Sequence, residues 1–414
     1  MPTSAQTEQE ISVASTAMEL EKQYLLQNYA RYPILLVRGR GAYVYDSAGK
    51  RYLDLITGIG VSALGHAHPR IVQTIRQQSS LLIHTSNLYY HEYQGRLAKR
   101  LCEASGLQRI FFCNSGTEAM EGALKMMRAH GGKIAEGKFE IVSLENSFHG
   151  RSMGALSVTG QEKYRRDFEP LLPGVRFVPA NDITALKQVV NEKTAGICIE
   201  AIQGEGGIYP MGIDYLKAAR QLADKFDAML LFDEIQCGVG RPGTFFAYQL
   251  AEPAILPDIM VAAKPIGCGL PLGFVAGNEK AAAAIGPGMH GSTFGGGPLT
   301  CRVALEAMDI IEELLPSITQ VGGYFRMRLT ELARHHQFIR EVRGAGLMIG
   351  MELEFACKDA VTLAMEQGLL INVTHEKVIR MLPPYIITEQ DVDRAITGID
   401  KVLRTLGEQH RQAG

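Results

Sequence analysis

The sequence predicts an α/β fold in which a mostly parallel central sheet is covered by helices. From Arg109 onward, short apolar runs alternate with segments of helical spacing, which is typical of strand–helix–strand units. Several of these runs contain four or five consecutive apolar residues, as strands buried on both faces do. After Gly297 a long amphipathic segment leads into a mixed α+β segment. These features predict a large domain and a smaller α+β domain to which both chain ends contribute.

The composition limits the class of protein. A chain of 414 residues has material for roughly two or three domains. Its 42 basic and 44 acidic residues leave no basic surplus for binding nucleic acid or an anionic membrane. The seven cysteines form no C-x-x-C pair, which favours free thiols in a reducing compartment. No secretory signal is evident, and no apolar run approaches the ~20 residues that span a bilayer. We therefore expect a soluble, cytoplasmic protein.

The amino-terminal part, residues 1–75, is predicted to contribute to the small domain. Residues 1–15 are polar and are expected to be loose, whereas Ala17–Tyr29 has the apolar spacing of a helix. The alternating segments of 35–55 predict a small antiparallel sheet. A glycine-rich loop with His66 and His68 then leads into a helix. Two histidines at this spacing are more often loop hydrogen-bonding groups than metal ligands, so we predict no metal site.

The central part, residues 76–315, is predicted to form the large domain. Predicted strands lie at 109–113, 140–144, 175–180, 195–200, 228–233, 258–263 and 273–277. Predicted helices lie at 114–130, from Asp182 onward, at 214–227 and at 298–315. Residues 316–414 are predicted to form the carboxyl-terminal small domain, and a long helix is expected near the boundary.

Two of the predicted strands end in an ionisable residue. Met229–Phe232 is followed by Asp233, and Ile259–Ala263 is followed by Lys264. Ligands of parallel sheets bind beyond the carboxyl ends of the strands, so both side chains are expected in one crevice. An acid and an amine in the same crevice suggest a site for a cofactor that forms a Schiff base.

Each of these two residues also has an ordinary interpretation. A lone lysine is usually solvated, but Lys264 follows an apolar strand and precedes Pro265 and several glycines, where a flat ligand can approach the backbone. A desolvated lysine loses its proton readily, and the neutral amine attacks aldehydes. Asp233 could cap a helix or pair with an arginine. Alternatively, it could pair with a pyridinium nitrogen, and Gln236 could then donate to the ring hydroxyl.

The segment Asn114–Thr117 lies at a strand-to-helix junction. The free N–H groups and the dipole of a helix start favour a phosphate there. The alternative is an ordinary helix cap by Ser115 or Thr117, with Glu118 in the first turn. The spacing of a P-loop is absent, and no glycine run forms a dinucleotide-binding fingerprint.

Three further side chains are candidates for contacts with a ring or a carboxylate. Phe148 could stack on an aromatic ring, and Arg151 could bind a carboxylate through both arms of its guanidinium. Arg380 is a second candidate carboxylate clamp, although a single arginine is more often part of a surface ion pair. The hydroxyl-bearing loop 291–297 could add donors to a phosphate.

Taken together, these segments resemble class III pyridoxal-phosphate aminotransferases, which have the fold-type I architecture. The resemblance extends over about residues 18–405. It is carried by SGTEA (115–119), FHGR (148–151), EAIQGEGG (200–207), LLFDEIQCGVGR (230–241), AAKPIGCGLPLG (262–273) and GSTFGGGPL (291–299). Six motifs in the right order, around an aspartate and a lysine already singled out, make the resemblance specific.

The resemblance implies a cofactor, pyridoxal 5'-phosphate, and a role for each matching residue. Lys264 would hold the cofactor covalently and later move a proton, while Asp233 would pair with the pyridine nitrogen. Thr293 would reach the phosphate of the cofactor in a partner subunit, which implies a homodimer with shared active sites. The implied cofactor-binding residues are Ser115, Gly116, Thr117, Phe148, Asp233, Gln236, Lys264 and Thr293.

The resemblance also implies the substrates. Residues 84–94 and 368–384 are similar to the branch that transfers the terminal amino group of N-acetylornithine to 2-oxoglutarate, a step of arginine biosynthesis. Arg151 and Ser292 would contact the donor, and Arg380 would bind the α-carboxylate of glutamate or 2-oxoglutarate. Glu205 would pair with this arginine and move aside when a dicarboxylate arrives.

Three departures from the family pattern border the substrate, namely Ala201, Cys268 and Pro298. The resemblance therefore leaves open a sibling ω-aminotransferase acting on ornithine, succinylornithine, 4-aminobutyrate or a carrier-bound lysine precursor. An aminomutase and a catalytically silent binding protein are further alternatives. The presence of Lys264, Asp233 and Arg380 argues against the silent protein.

Overall fold

The computed structural model describes residues 16–413, so the segment 1–15, predicted to be loose, lies outside the described residues. The helix predicted at Ala17–Tyr29 is present as α1 (16–24). The antiparallel sheet predicted for 35–55 is also present. Its strands are β1 (Leu36–Arg40), β2 (Tyr43–Asp46) and β3 (Arg51–Asp54). The helices that follow are α2 (Thr57–Gly60), α3 (Pro69–Ser79) and α4 (Glu92–Ser105).

A seven-stranded sheet forms the centre of the protein. Its strands are β4 (Arg109–Cys113), β5 (Glu140–Leu144), β6 (Val175–Val178), β7 (Thr194–Ile199), β10 (Met229–Asp233), β11 (Ile259–Ala262) and β12 (Gly273–Gly277). The short strands β8 (Ile202–Gln203) and β9 (Tyr209–Pro210) form a separate hairpin. The order in the central sheet is β4-β12-β11-β10-β7-β5-β6, and β12 runs antiparallel to both of its neighbours.

Helices cover both faces of the central sheet. They are α5 (Gly116–Ile134), α6 (Met153–Ser157), α7 (Glu162–Arg165), α8 (Ile183–Val189), α9 (Ile213–Lys225) and α10 (Glu279–Ala282). Because successive strand residues point to opposite faces, Leu230 and Phe232 of β10 pack in one core cluster while Met229 and Leu231 pack in another. Burial on both faces explains why these strands appear in the sequence as continuous apolar runs.

A long helix, α11 (Pro298–Ala333), connects the central sheet to the carboxyl-terminal part. The helix was predicted to end at residue 315, but it continues through Pro316, so the domain boundary predicted at 315/316 falls inside one helix. A proline normally breaks a helix because it lacks an N–H group. Here buried side chains on both sides, including Ile311 and Ile318, hold the helix together. None of the helices within residues 16–413 combines the length and apolar character needed to cross a membrane.

The carboxyl-terminal part forms a second antiparallel sheet and joins the first one. Its elements are β13 (Ile339–Ala345), β14 (Met348–Leu353), α12 (Ala360–Glu366), β15 (Leu369–Leu370), β16 (Asn372–Thr374), β17 (Val378–Met381) and α13 (Glu389–Ala413). The sheet order is β13-β14-β17-β16, while β15 pairs in parallel with β3 near the amino terminus. Segments from both ends of the chain therefore lie together.

Candidate active site

A cavity of about 580 Å³ lies at the carboxyl ends of β10 and β11. Of the predicted site residues, nine line it. They are Ser115, Gly116, Thr117, Phe148, Arg151, Glu205, Asp233, Gln236 and Lys264. Residues from five motifs that are far apart in the sequence thus meet in one space.

Asp233 and Lys264 reach this cavity from neighbouring parallel strands. Asp233 is the last residue of β10 and pairs in register with Val261 of β11, three residues before Lys264. The Asp233 side chain is 3% exposed, and its Oδ1 accepts a hydrogen bond of 3.0 Å from the N–H of Ile235. The backbone of Lys264 has a φ of 49°, a left-handed conformation that residues other than glycine rarely adopt. Backbone strain of this kind is concentrated at functional sites.

The surroundings of Lys264 favour its neutral amine. Burial lowers the pKa of Lys264, and the nearby Arg380 lowers it further, although Glu205 and Asp233 act in the opposite direction. A neutral amine is both a nucleophile and a base, whereas an ammonium ion is neither. The site therefore contains an amine suited to bonding with an aldehyde or to accepting a proton.

The start of α5 forms part of the cavity wall. Ser115 is the N-cap, because its hydroxyl accepts a hydrogen bond of 3.3 Å from Glu118 N–H. The N–H groups of Gly116 and Thr117 belong to the first turn and have no acceptor inside the helix. A Cβ at Gly116 would lie 2.7 Å from Ile235 Cδ1, so a side chain there would not fit. The helix-cap interpretation is confirmed, and the same helix start lines the cavity, while phosphate binding there stays a prediction.

His149 is a site residue that sequence analysis missed. Its Nδ1 lies 2.7 Å from Asp233 Oδ2, and its Nε2 lies 3.4 Å from the sulfur of Cys198. Burial alone would lower the pKa of His149, but Cys198 and Asp233 raise it well above the ordinary value. Burial raises the pKa of the Cys198 thiol, so Asp233 supplies the negative charge beside the ring. The FHGR motif contained this signal, but only Phe148 and Arg151 were given roles.

Arg151 lies at the mouth of the cavity and stacks on aromatic rings. Its Cζ is 4.0 Å from the ring centroid of Tyr164 and 5.4 Å from that of Phe148. Among the described residues, its guanidinium pairs with no carboxylate. The planar face of the guanidinium is used by the rings, and its N–H edge remains available for a carboxylate ligand.

Arg380 does not line the cavity but lies directly behind it. This side chain is 1% exposed, and its Nη1 lies 2.5 Å from Glu205 Oε1 and 3.1 Å from Gln236 Oε1. Its Nη2 donates to Asn372 Oδ1 at 2.7 Å, and its buried Nε has no partner among the described residues. Gln236, predicted to donate to a ring hydroxyl, directs its carbonyl oxygen to Arg380. Sequence analysis gave Asn372 no role.

Ser292 and Thr293 are not brought to the cavity of their own chain. The Ser292 hydroxyl accepts hydrogen bonds from Asn114 Nδ2 at 3.1 Å and from Gly295 N–H at 3.0 Å. Thr293 is exposed. The contact predicted for Thr293 depends on a second chain, and the roles of both residues stay predictions.

His66 and His68 are loop residues, as predicted. His66 Nε2 lies 2.8 Å from Asp54 Oδ2, and that carboxylate lies too far back in the sequence to have been recognised as its partner. Among the described residues, no three His, Cys, Asp or Glu side chains are arranged to hold a metal ion.

The sequence profile described as "Aminotransferase class-III" matches residues 24–403, and the chain belongs to this family. An acetylornithine aminotransferase of Methanocaldococcus jannaschii is 49% identical over 93% of this chain and 97% of its own length. One of Aquifex aeolicus is 45% identical over 92% of this chain and its whole length. The predicted family and the predicted enzyme class, an aminotransferase, are confirmed.

Solved structures of aminotransferases have the same fold as this chain. The ornithine aminotransferase of Toxoplasma gondii ME49 superposes with a TM-score of 0.90 at 31% identity, covering 96% of each chain. The acetylornithine aminotransferase of Elizabethkingia anophelis superposes with a TM-score of 0.84 at 30% identity, covering 95% of this chain and 99% of the other. A second Toxoplasma gondii structure is described as showing partial occupancy of PLP at its active site. The predicted fold-type I α/β architecture is confirmed.

Proposed function

We propose that this chain transfers the terminal amino group of N-acetylornithine to 2-oxoglutarate, with pyridoxal 5'-phosphate as its cofactor. The products are N-acetylglutamate 5-semialdehyde and glutamate, which places the enzyme in arginine biosynthesis. The observation that carries the proposal is the meeting of Lys264 and Asp233 in one cavity served by two arginines. The choice of donor is supported by relatives named acetylornithine aminotransferase.

The residues present fit this cofactor. Lys264 supplies an amine whose pKa is lowered by burial, and Asp233 supplies a buried carboxylate for a protonated ring nitrogen. The first turn of α5, kept free of a side chain at Gly116, supplies N–H groups for a phosphate. Phe148 would contact the ring. When bound, pyridoxal phosphate supplies an aldehyde that bonds to amines and a ring that accepts electrons from the adjacent carbon.

The protein's own groups perform the proton transfers and the positioning. Lys264 Nζ would accept the proton from the substrate carbon that bears the reacting nitrogen and, as the conjugate acid, would return it on the other side of that nitrogen. Asp233 would keep a proton on the ring nitrogen of the bound cofactor, and His149 and the N–H of Ile235 fix the orientation of the carboxylate. The reaction proceeds in two halves, in which the donor product leaves before 2-oxoglutarate binds.

Each of the two arginines, Arg151 and Arg380, binds a carboxylate of a different substrate. Arg151, at the exposed mouth, is suited to the α-carboxylate of N-acetylornithine, whose reacting amine must reach inward to Lys264. Arg380, buried behind the cavity, is suited to a carboxylate of 2-oxoglutarate. Arg380 is already paired with Glu205, so this second carboxylate must compete with an existing ion pair.

Two further features support a homodimer. The segments 81–91 and 291–297 pack together, since Asn87 Nδ2 donates to Ser292 O at 3.2 Å and His91 Nε2 lies 2.8 Å from Gly296 O. The surface they share exposes large apolar side chains, namely Leu81, Leu82, Ile83, Leu88, Tyr89, Tyr90 and Phe294. An apolar patch of this kind favours association, which would bring Thr293 to the partner's cofactor. The seven free thiols agree with a cytoplasmic location.

Replacing Arg151 with methionine tests the donor site. We expect the KM for N-acetylornithine to rise roughly 10- to 100-fold, because a charge-assisted hydrogen bond to the α-carboxylate is lost. The KM for 2-oxoglutarate should be unchanged, because this substrate is held by Arg380. Steady-state kinetics with each substrate varied in turn measures both constants.

Arg38→Met is the matched control, because Arg38 is also an exposed arginine over a ring, with its Cζ 4.2 Å from the Tyr45 centroid, but it lies in the amino-terminal sheet. An Arg151→Met enzyme with an unchanged KM for N-acetylornithine would contradict the assignment.

Ornithine is the second candidate donor, favoured by the superposition on ornithine aminotransferases. Ornithine would be the better donor if the mouth of the cavity accommodates its free α-ammonium group better than the acetylated amine of N-acetylornithine.

A further inference from the structure

Glu205 stands between two cavities. Its side chain lines the large cavity and also a second cavity of about 400 Å³ between α7 and the β16–β17 hairpin. The polar groups of the second cavity include Lys163, Tyr164, Lys358 and Thr374. Its charged residues are two lysines and the carboxylates of Glu205 and Glu376, with His375 beside them. Since Glu205 is already one of these two carboxylates, the two lysines balance the negative charge of the space when the Glu205 side chain lies in it.

The two oxygens of the Glu205 carboxylate face different partners. Oε1 lies 2.5 Å from Arg380 Nη1, whereas Oε2 lies 3.5 Å from the hydroxyl oxygen of Thr374. The same hydroxyl donates to the backbone carbonyl of Glu205 at 2.6 Å. Thr374 thus holds the main chain of Glu205 and is within reach of the side-chain oxygen that Arg380 does not bind.

The hairpin that carries Thr374 is held in an unusual shape. His375 and Glu376, the two residues after Thr374, have φ values of 47° and 60° although neither is a glycine. Consecutive left-handed residues without glycine are strained, and such strain persists where surrounding contacts over-determine the backbone. The same hairpin supplies Arg380 and its partner Asn372. One element therefore positions both the cation and the threonine.

Binding of a dicarboxylate requires a new place for Glu205. A substrate carboxylate on Arg380 would stand next to the Glu205 carboxylate, and two like charges at that distance disfavour each other. Burial alone would raise the pKa of Glu205, but Arg380, Lys264 and Gln236 hold it below the ordinary value. The group is thus an anion when the substrate arrives, so it has to move.

We propose that Thr374 is a positioning residue for the exchange of the two substrates. Its hydroxyl now donates to the Glu205 carbonyl, and as the side chain turns from Arg380 into the second cavity the same hydrogen is donated instead to the carboxylate, whose Oε2 lies 3.5 Å away. Lys163 and Lys358 supply the compensating charge there. This inference rests on the proposed function, because it assumes that a dicarboxylate binds at Arg380.

The test is the affinity of the cofactor-loaded enzyme for glutarate, a dicarboxylate without a keto group, measured by calorimetry. We expect Thr374→Val to raise the Kd for glutarate roughly 10-fold, because a hydrogen bond to a charged group is lost. Thr374→Ser should restore the affinity, and Lys358→Met, at an exposed position, should weaken it to a smaller extent. Thr330→Val is the matched control, since this hydroxyl donates only to Arg326 O on α11. The KM for N-acetylornithine should be unaffected by Thr374→Val.

A double-mutant cycle with Glu205→Gln decides whether Thr374→Val changes the Kd for glutarate by altering the position of Glu205. Without the competing charge, Thr374→Val should no longer alter the Kd for glutarate. An equal loss of affinity in both backgrounds would overturn the proposal, and so would a crystal structure of the glutarate complex with Glu205 still on Arg380. Glutarate that binds the wild type while N-acetylornithine is not converted would instead refute the proposed donor and leave the role of Thr374 to be decided by the same cycle. Glutarate that does not bind at all would overturn the role of Thr374.

Discussion

Replacing Lys264 with alanine is expected to lower kcat with N-acetylornithine and 2-oxoglutarate by more than about 10³-fold. The variant loses the amine that we propose bonds to the cofactor and moves the proton. No other lysine lines the large cavity among the described residues, so no neighbouring amine can replace it. Steady-state kinetics, together with the visible absorbance of the cofactor-loaded protein, measures both losses.

Lys264→Arg separates the role of charge from that of the neutral amine. Arginine keeps a cation of similar length, but it does not lose its proton in the protein. This variant should therefore be as inactive as Lys264→Ala, while Lys217→Ala, at an exposed position of α9, should keep full activity. Substantial turnover by Lys264→Arg would show that a neutral amine is not required at this position.

Replacing Asp233 with asparagine is expected to lower kcat on the order of 10²- to 10⁴-fold. The shape of the side chain is retained, and its oxygen can still accept from the N–H of Ile235. The negative charge beside His149 is lost, so the ring nitrogen of the cofactor that we propose binds there would no longer keep its proton. The loss should appear in kcat for both half-reactions, because both need the electron-accepting ring.

Thermal unfolding of Asp233→Asn distinguishes a loss of chemistry from a loss of folding. We expect the variant to remain folded, since asparagine fits the same buried position between Ile235 and His149. Asp214→Asn, at an exposed position in the first turn of α9, serves as the control. An Asp233→Asn enzyme with nearly wild-type kcat would mean that the carboxylate has no part in the chemistry.

The central sheet and the pair Asp233 and Lys264 could be predicted from the sequence because both follow from local patterns. Strands buried on both faces appear as apolar runs, and the ends of parallel strands converge on one edge. The antiparallel direction of β12 could not be predicted in this way, because an apolar run does not specify the direction of a strand. The continuation of α11 through Pro316 depends on packing along the helix, which a local rule about proline does not include.

The contacts that complete the site depend on tertiary structure. His149 meets Asp233 across 84 positions of sequence, and Arg380 meets Glu205 across 175. The family resemblance anticipated the second pair, but no spacing rule indicates either one. Sequence analysis gave Thr374 no role, and the role proposed for it follows from its distances to Glu205. The role of Thr293 stays a prediction because it requires a partner subunit, and the contact of Ser292 with the donor also stays a prediction.

The transfer of the terminal nitrogen itself tests the account most directly. N-acetylornithine labelled with a heavy isotope at its terminal nitrogen would be incubated with the purified, cofactor-loaded enzyme and 2-oxoglutarate, in competition with unlabelled ornithine. The account predicts labelled glutamate in an amount equal to the N-acetylglutamate 5-semialdehyde formed, and little semialdehyde from ornithine. Unlabelled glutamate, or label that remains in N-acetylornithine while ornithine is consumed, would contradict it.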